Sequence, residues 1–159
     1  MNARYLKLLV ASLAVVSVGL AYAAIQFRVN HTGTVVLANK NFLGITLSPP
    51  SSQPNCDTET SYGNGGDTGA LPSISWGNIA QGSSQTAYIC IMNADGEGQT
   101  YTVTTSSLSP STGIMVGYNG TAVLTSRPLP SGGTSLIIVS VSITPSTPEG
   151  PFSFTTTIG

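Results

Sequence analysis

From residue 24 onward the chain is written in twos. Ile25, Phe27 and Val29 share one face while Gln26, Arg28 and Asn30 share the other, the alternation of a half-buried strand. Similar runs recur down the chain. Thr34-Val35-Val36-Leu37 and residues 42–47 predict one or two strands that stop at Pro49-Pro50. Residues 48–72 read as a long loop, followed by a short strand at Ile74-Ser75-Trp76. Residues 84–92 are apolar on both parities, with Ala87, Ile89 and Ile91 on one and Tyr88, Cys90 and Met92 on the other, which predicts a central strand. Residues 93–98 carry the Asx and Gly signals of a hairpin loop, and Tyr101, Val103 and Thr105 belong to the strand that returns from it.

Residues 106–112 read as a Ser/Pro loop and residues 114–118 as a strand. Asn119-Gly120 is a two-residue turn signal leading into residues 121–124, and Arg127-Pro128-Leu129-Pro130 breaks the chain. Ile137, Val139, Val141 and Ile143 line one face of the most apolar strand, and Phe152, Phe154, Thr156 and Ile158 one face of the last. No helical period follows residue 24. Seven to nine short strands separated by Gly and Pro predict an all-β sandwich, immunoglobulin-like or jelly-roll.

The first 23 residues follow a different rule. Arg4 and Lys7 precede an apolar run over residues 8–20, and Ala21-Tyr22-Ala23 has the small-x-small form of a signal-peptidase site. This predicts a signal peptide over 1–23, a donor strand with its hinge over 24–33, and a sandwich over 34–159. Residues 8–25 also run uncharged for long enough to be a retained membrane or pilin helix, so that reading stays open.

Composition then narrows the function. After residue 23, Arg28, Lys40 and Arg127 stand against six carboxylates, a net charge of −3, which leaves no basic face for nucleic acid and only transient membrane contact during export. Ser and Thr hydroxyls supply the polar surface that charge supplies in most soluble domains. His31 is the only histidine, and no nucleophile elbow, phosphate loop or zinc pair occurs, so neither an enzyme nor a metal or cofactor site is expected. Asp57, Glu59, Asp67, Asp95 and Glu97 match no ordered calcium loop and read as solvated turn acids. Cys56 and Cys90 are the only cysteines; an exported chain with two is expected to pair them. Asn30-His31-Thr32 and Asn119-Gly120-Thr121 match the glycosylation acceptor, and Trp76 with the tyrosines suggests a sugar platform as one further reading.

These residues also carry a likeness. The Ala21-Tyr22-Ala23 site, the strand directly after it, Thr32-Gly33-Thr34-Val35-Val36, and Trp76-Gly77-Asn78-Ile79 leading through Gly82 to a strand ending at Asn93 resemble subunits of archaeal bundling pili. Those are related to the TasA and camelysin biofilm-fibre proteins. The resemblance implies a secreted structural subunit that polymerises head to tail. Each copy would place Ala24, Ile25, Phe27 and Val29 in the sheet of the next, and neighbouring filaments would bundle cells together. Two competing expectations are an archaeal type IV pilin that keeps its N-terminal helix and a monomeric secreted carbohydrate-binding domain.

Overall fold

The computed structural model describes residues 31–147 and 150–159; the predicted signal peptide, the donor residues Ala24, Ile25, Phe27 and Val29, and Asn30 of the first sequon lie outside them. The described residues form nine strands and two single-turn 3₁₀ segments, with no α-helix. The strands are β1 (His31–Leu37), β2 (Phe42–Leu47), β3 (Ala70–Gly77), β4 (Ser84–Asn93), β5 (Gln99–Ser109), β6 (Ile114–Tyr118), β7 (Leu124–Leu129), β8 (Thr134–Ile143) and β9 (Ser153–Ile158). They make a five-stranded sheet in the order β3-β1-β9-β5-β7 and a four-stranded sheet in the order β2-β4-β8-β6. The fold is therefore an all-β, two-sheet sandwich.

Alternation decides what is buried. Ile137, Val139, Val141 and Ile143 of β8 point inward, as do Phe154, Thr156 and Ile158 of β9, and all are buried. They meet Ala87, Ile89 and Ile91 of β4 and Val35, Trp76, Tyr101 and Val103 from the other sheet in one continuous core. Gly33 is bare because the core is tight there: a Cβ would stand 3.0 Å from both Phe154 Cζ and Trp76 Nε1.

β4 is central, lying between β2 and β8. Its second apolar parity is explained at Cys90, which is fully buried on the outer side of the sheet under the long loop. The Cys56–Cys90 disulfide forms, with Cα atoms 5.4 Å apart, and pins that loop to β4. The loop is fixed further by Tyr62 Oη, which donates to the Cys56 carbonyl at 2.7 Å, and by Thr134 Oγ1 of β8, which donates to the Asp57 carboxylate.

Several boundaries and pairings differ from the sequence reading. Residues 31–33, assigned to the hinge, are the first residues of β1 and pair with β3 and β9. Residues 34–47 form two strands on different sheets. Residues 93–98 are not a hairpin loop, because β4 and β5 belong to different sheets and the segment carries the chain across the sandwich. Asn93 organises that crossing. It is fully buried, its Nδ2 faces the carbonyls of Glu97, Leu129 and Pro130 at 2.8–3.2 Å, and its Oδ1 accepts from the Asp95 amide.

The predicted loop at 106–112 is strand as far as Ser109, carried through a bulge with Ser107 at φ 54°. The predicted break at residues 127–129 is likewise part of β7, and β3 begins at Ala70, earlier than expected. Both misplaced strands contain proline and lie at an edge, where a missing N–H breaks no ladder bond.

Candidate functional site: an open sheet edge

A two-sheet sandwich has four lateral edges, each a row of main-chain groups available to another strand. Here β2 and β3 border one seam and β6 and β7 the other. Local chemistry closes three of the four to different degrees.

The β2 edge is paired by the long loop: Gly44 N–H donates to the Gly63 carbonyl at 2.7 Å and Gly63 N–H returns the bond at 3.0 Å. Polar side chains cap the β3 edge. Thr46 Oγ1 donates to the Pro72 carbonyl at 2.7 Å, and the Ser75 amide donates to Ser48 Oγ at 2.9 Å. β7 carries Pro128, which has no N–H, and Ser126 at φ 48°, which bends the strand out of regular geometry. Pro, bulges and side-chain caps are the usual means of keeping an edge from recruiting another chain.

β6 has none of these. Its ladder to β8 is bracketed by Thr144 N–H to Gly113 C=O at 2.8 Å and by Asn119 N–H to Ile138 C=O at 2.9 Å. Bonding alternates along an antiparallel strand, so Met115 and Gly117 face β8 while the main-chain groups of Ile114 and Val116 face the open side. Tyr118, the next outward residue, is occupied by reciprocal bonds with Thr121. Among the described residues no strand pairs with this side of β6.

Opposite β6, the second half of β5 is similarly uncovered. β7 pairs with β5 only from Gln99 to Val103, although β5 continues to Ser109. Two ties fix the seam between the strands. At one end Tyr118 Oη lies 2.7 Å from Thr105 Oγ1 and 2.9 Å from Thr156 Oγ1, joining β6 to both β5 and β9. At the other end residues 110–113 connect the two strands directly. Between the ties, Leu108 of β5 and Val116 of β6 pack against the core yet remain partly exposed. Met115, on the opposite face of β6 from Val116, and Val123, just before β7, are the large exposed apolar side chains among the described residues, at 61% and 45% of their full accessibility. Leu108 and Val116, apolar and only partly covered, thus coincide with unpaired main chain at this seam.

No known protein family, curated protein or solved structure matches this chain. The site is read from its geometry alone.

The other predicted site residues separate clearly. Asn119 is exposed, but its carboxamide is engaged: Oδ1 accepts from the Ile138 amide at 2.6 Å and Nδ2 donates to the Leu136 carbonyl at 3.4 Å. Asn119 and Gly120 form the expected turn with positive φ at both positions, but the chain pairs back on β6 only at the Tyr118–Thr121 bridge before it crosses to β7. Trp76 is 1% exposed and belongs to the core, so its ring offers no stacking platform. Among the described residues no three His, Cys, Asp or Glu side chains gather in the manner of a metal site.

His31 is buried at the start of β1, with its ring stacked on Phe152. Burial lowers its pKa below the ordinary 6.5. The open seam itself is absent from the sequence reading. Its one available signal was the run Ile114-Met115-Val116, apolar on both parities in a strand too short to be buried on both faces.

Proposed function

We propose that this protein is the subunit of an extracellular filament, in which the β5–β6 seam of one copy receives residues 24–29 of the next. The observation that carries the reading is the coincidence, at one seam only, of unpaired main chain with incompletely covered apolar side chains. A donor of matching character is present in the same sequence. Ile25, Phe27 and Val29 share one parity, and six residues at about 3.3 Å each reach roughly 20 Å, enough to run the length of β6.

Burying those three side chains contributes on the order of 5 to 9 kcal/mol before the cost of ordering the segment. New ladder bonds to Ile114 and Val116 would add to this and remove an exposed edge. Donor and acceptor are different surfaces of one chain, so the contact is head to tail and propagates as a filament unless it closes into a ring. The disulfide agrees with folding in an oxidising compartment outside the cytosol. Among the described residues no helix is long and apolar enough to cross a membrane.

Deleting residues 24–29 tests the proposal. The expected product is a folded, exported monomer that cannot polymerise, whereas a strand internal to its own domain would leave a misfolded protein. Phe27→Asp should also stop assembly, because an unpaired carboxylate would have to enter an apolar seam. Normal fibres from either variant, seen by negative-stain microscopy, refute the reading.

A further inference from the structure

The long loop between β2 and β3 carries one of the two Asn-Gly pairs in the sequence, Asn64-Gly65; the other is Asn119-Gly120 at the end of β6. Such a pair is chemically labile, because glycine has no Cβ to shield its amide nitrogen from the carboxamide carbon of the preceding asparagine. The two sites are held in opposite ways. Asn119 stretches its carboxamide across to β8, where Oδ1 accepts from the Ile138 amide at 2.6 Å and Nδ2 donates to the Leu136 carbonyl at 3.4 Å, so Cγ is held away from Gly120. Asn64 is exposed, and its Oδ1 accepts from the Gly66 amide at 3.0 Å. That bond closes a ring that includes the Gly65 amide, and it places a donor on the oxygen where negative charge develops when the Gly65 nitrogen attacks Cγ. Gly65 itself has no substitute: its φ is 70°, and a Cβ would collide with the backbone of Gly69 and Ala70.

We propose that Asn64-Gly65 is a self-modifying site whose conversion releases the β2 edge. The Gly65 nitrogen loses its proton to solvent hydroxide and bonds to Cγ of Asn64; the Cγ–Nδ2 bond breaks, and ammonia departs with a proton taken from water. Water then adds to either carbonyl of the resulting succinimide, and ring opening leaves aspartate or isoaspartate. Isoaspartate carries the chain through Cβ and Cγ, one main-chain carbon more than before, and adds a carboxylate. Gly65 has no room to move, being packed on Gly69, whose carbonyl accepts from the Leu37 amide at 2.8 Å. The extra length therefore falls on the other neighbour, Gly63, whose reciprocal bonds with Gly44 close β2. This site is distinct from the β5–β6 seam and does not depend on it.

The test is incubation of the disulfide-bonded protein in mildly alkaline buffer, followed by peptide mass spectrometry. Chymotrypsin, cutting after Tyr62 and Tyr118, puts the two asparagines in separate peptides. In the folded protein Asn64 should gain one mass unit, with isoaspartate detected by enzymatic methyl transfer, about tenfold faster than Asn119, whose two bonds to β8 must open first. In urea the two rates should converge. Asn64→Gln, whose extra methylene carries the carbonyl out of range, should stay unmodified and keep its circular dichroism spectrum. Amide exchange at Gly44 and Gly63 should accelerate about tenfold in the converted wild type and stay slow in the Gln variant after the same incubation. The proposal is overturned by equal rates at the two sites in the folded protein, by an Asn64 that remains an amide, or by unchanged protection of Gly44 and Gly63 after conversion.

Discussion

The amide of Phe152 donates to Nδ1 of His31 at 3.2 Å, and the two rings stack with centroids 4.1 Å apart and planes 13° from parallel. The contact ties the first residue of β1 to the residue preceding β9, beside the parallel pairing of those strands. Nδ1 must be unprotonated to accept this bond, and burial holds the pKa of His31 below 6.5. The unfolded chain therefore binds the proton more readily than the folded one. The stabilising contribution of neutral His31 is complete above pH 6.5 and is lost as the pH falls below that value through the lower folded-state pKa. Urea midpoints of the wild type and His31→Gln measured from pH 7.5 to 4.5 should converge or cross as the pH falls. A difference independent of pH would refute the assignment.

Edge chemistry predicts a second outcome. Val116→Lys places a charge at the seam that the donor segment would fill, whereas Thr125→Lys alters an exposed position on the already defended β7. The first substitution should leave a folded monomer by light scattering, and the second should assemble normally. Equal assembly of both would locate the acceptor elsewhere.

The disulfide closes a loop between residues 34 apart in sequence. In the chain-entropy account this constraint is worth about 3 to 4 kcal/mol, so the Cys56→Ala, Cys90→Ala double variant should lose about that much in denaturant unfolding. The same account requires that the unfolded, unreduced wild type take up no alkylating reagent.

Tyr118 crosses the interface between the sheets. Its Oη is within 2.9 Å of Thr156 Oγ1, which is itself fully buried on the opposite sheet. Tyr118→Phe removes the partner but little volume, so the expected loss is about 1 to 3 kcal/mol, the cost of stranding a buried polar group. A paired Thr156→Val substitution should recover part of that loss. Burial also raises the pKa of the Tyr118 phenol. Its ionisation should lag behind that of exposed tyrosines in an alkaline absorbance titration.

Much of the sandwich was legible locally. The inward faces of β8 and β9 follow from alternation alone, because a strand's side chains change face at every residue whatever the sheet around it. The pairing of Cys56 with Cys90 followed from there being only two cysteines. The crossing at residues 93–98 was not legible, since Asn, Asp and Gly specify that the chain reverses but not which sheet receives it. β7 was missed for a related reason: proline excludes a central strand, and edge position is a property of the whole sheet order.

By itself, therefore, the sequence determined the class of fold, the cysteine pair and an apolar-faced segment at residues 24–29, each a consequence of periodicity or of residue chemistry acting over a few positions. Only the tertiary structure decided which edge is open. That depends on groups remote in sequence: Gly63 closes β2, Ser48 caps β3, and β7 ends its pairing at Val103 and leaves the rest of β5 uncovered. It also left Trp76 Nε1 and Gln85 Oε1, nine positions apart and on different sheets, buried without a hydrogen-bond partner. Hydrogen-bond satisfaction is a sum over neighbours in space, and a linear pattern carries no record of which neighbours are missing.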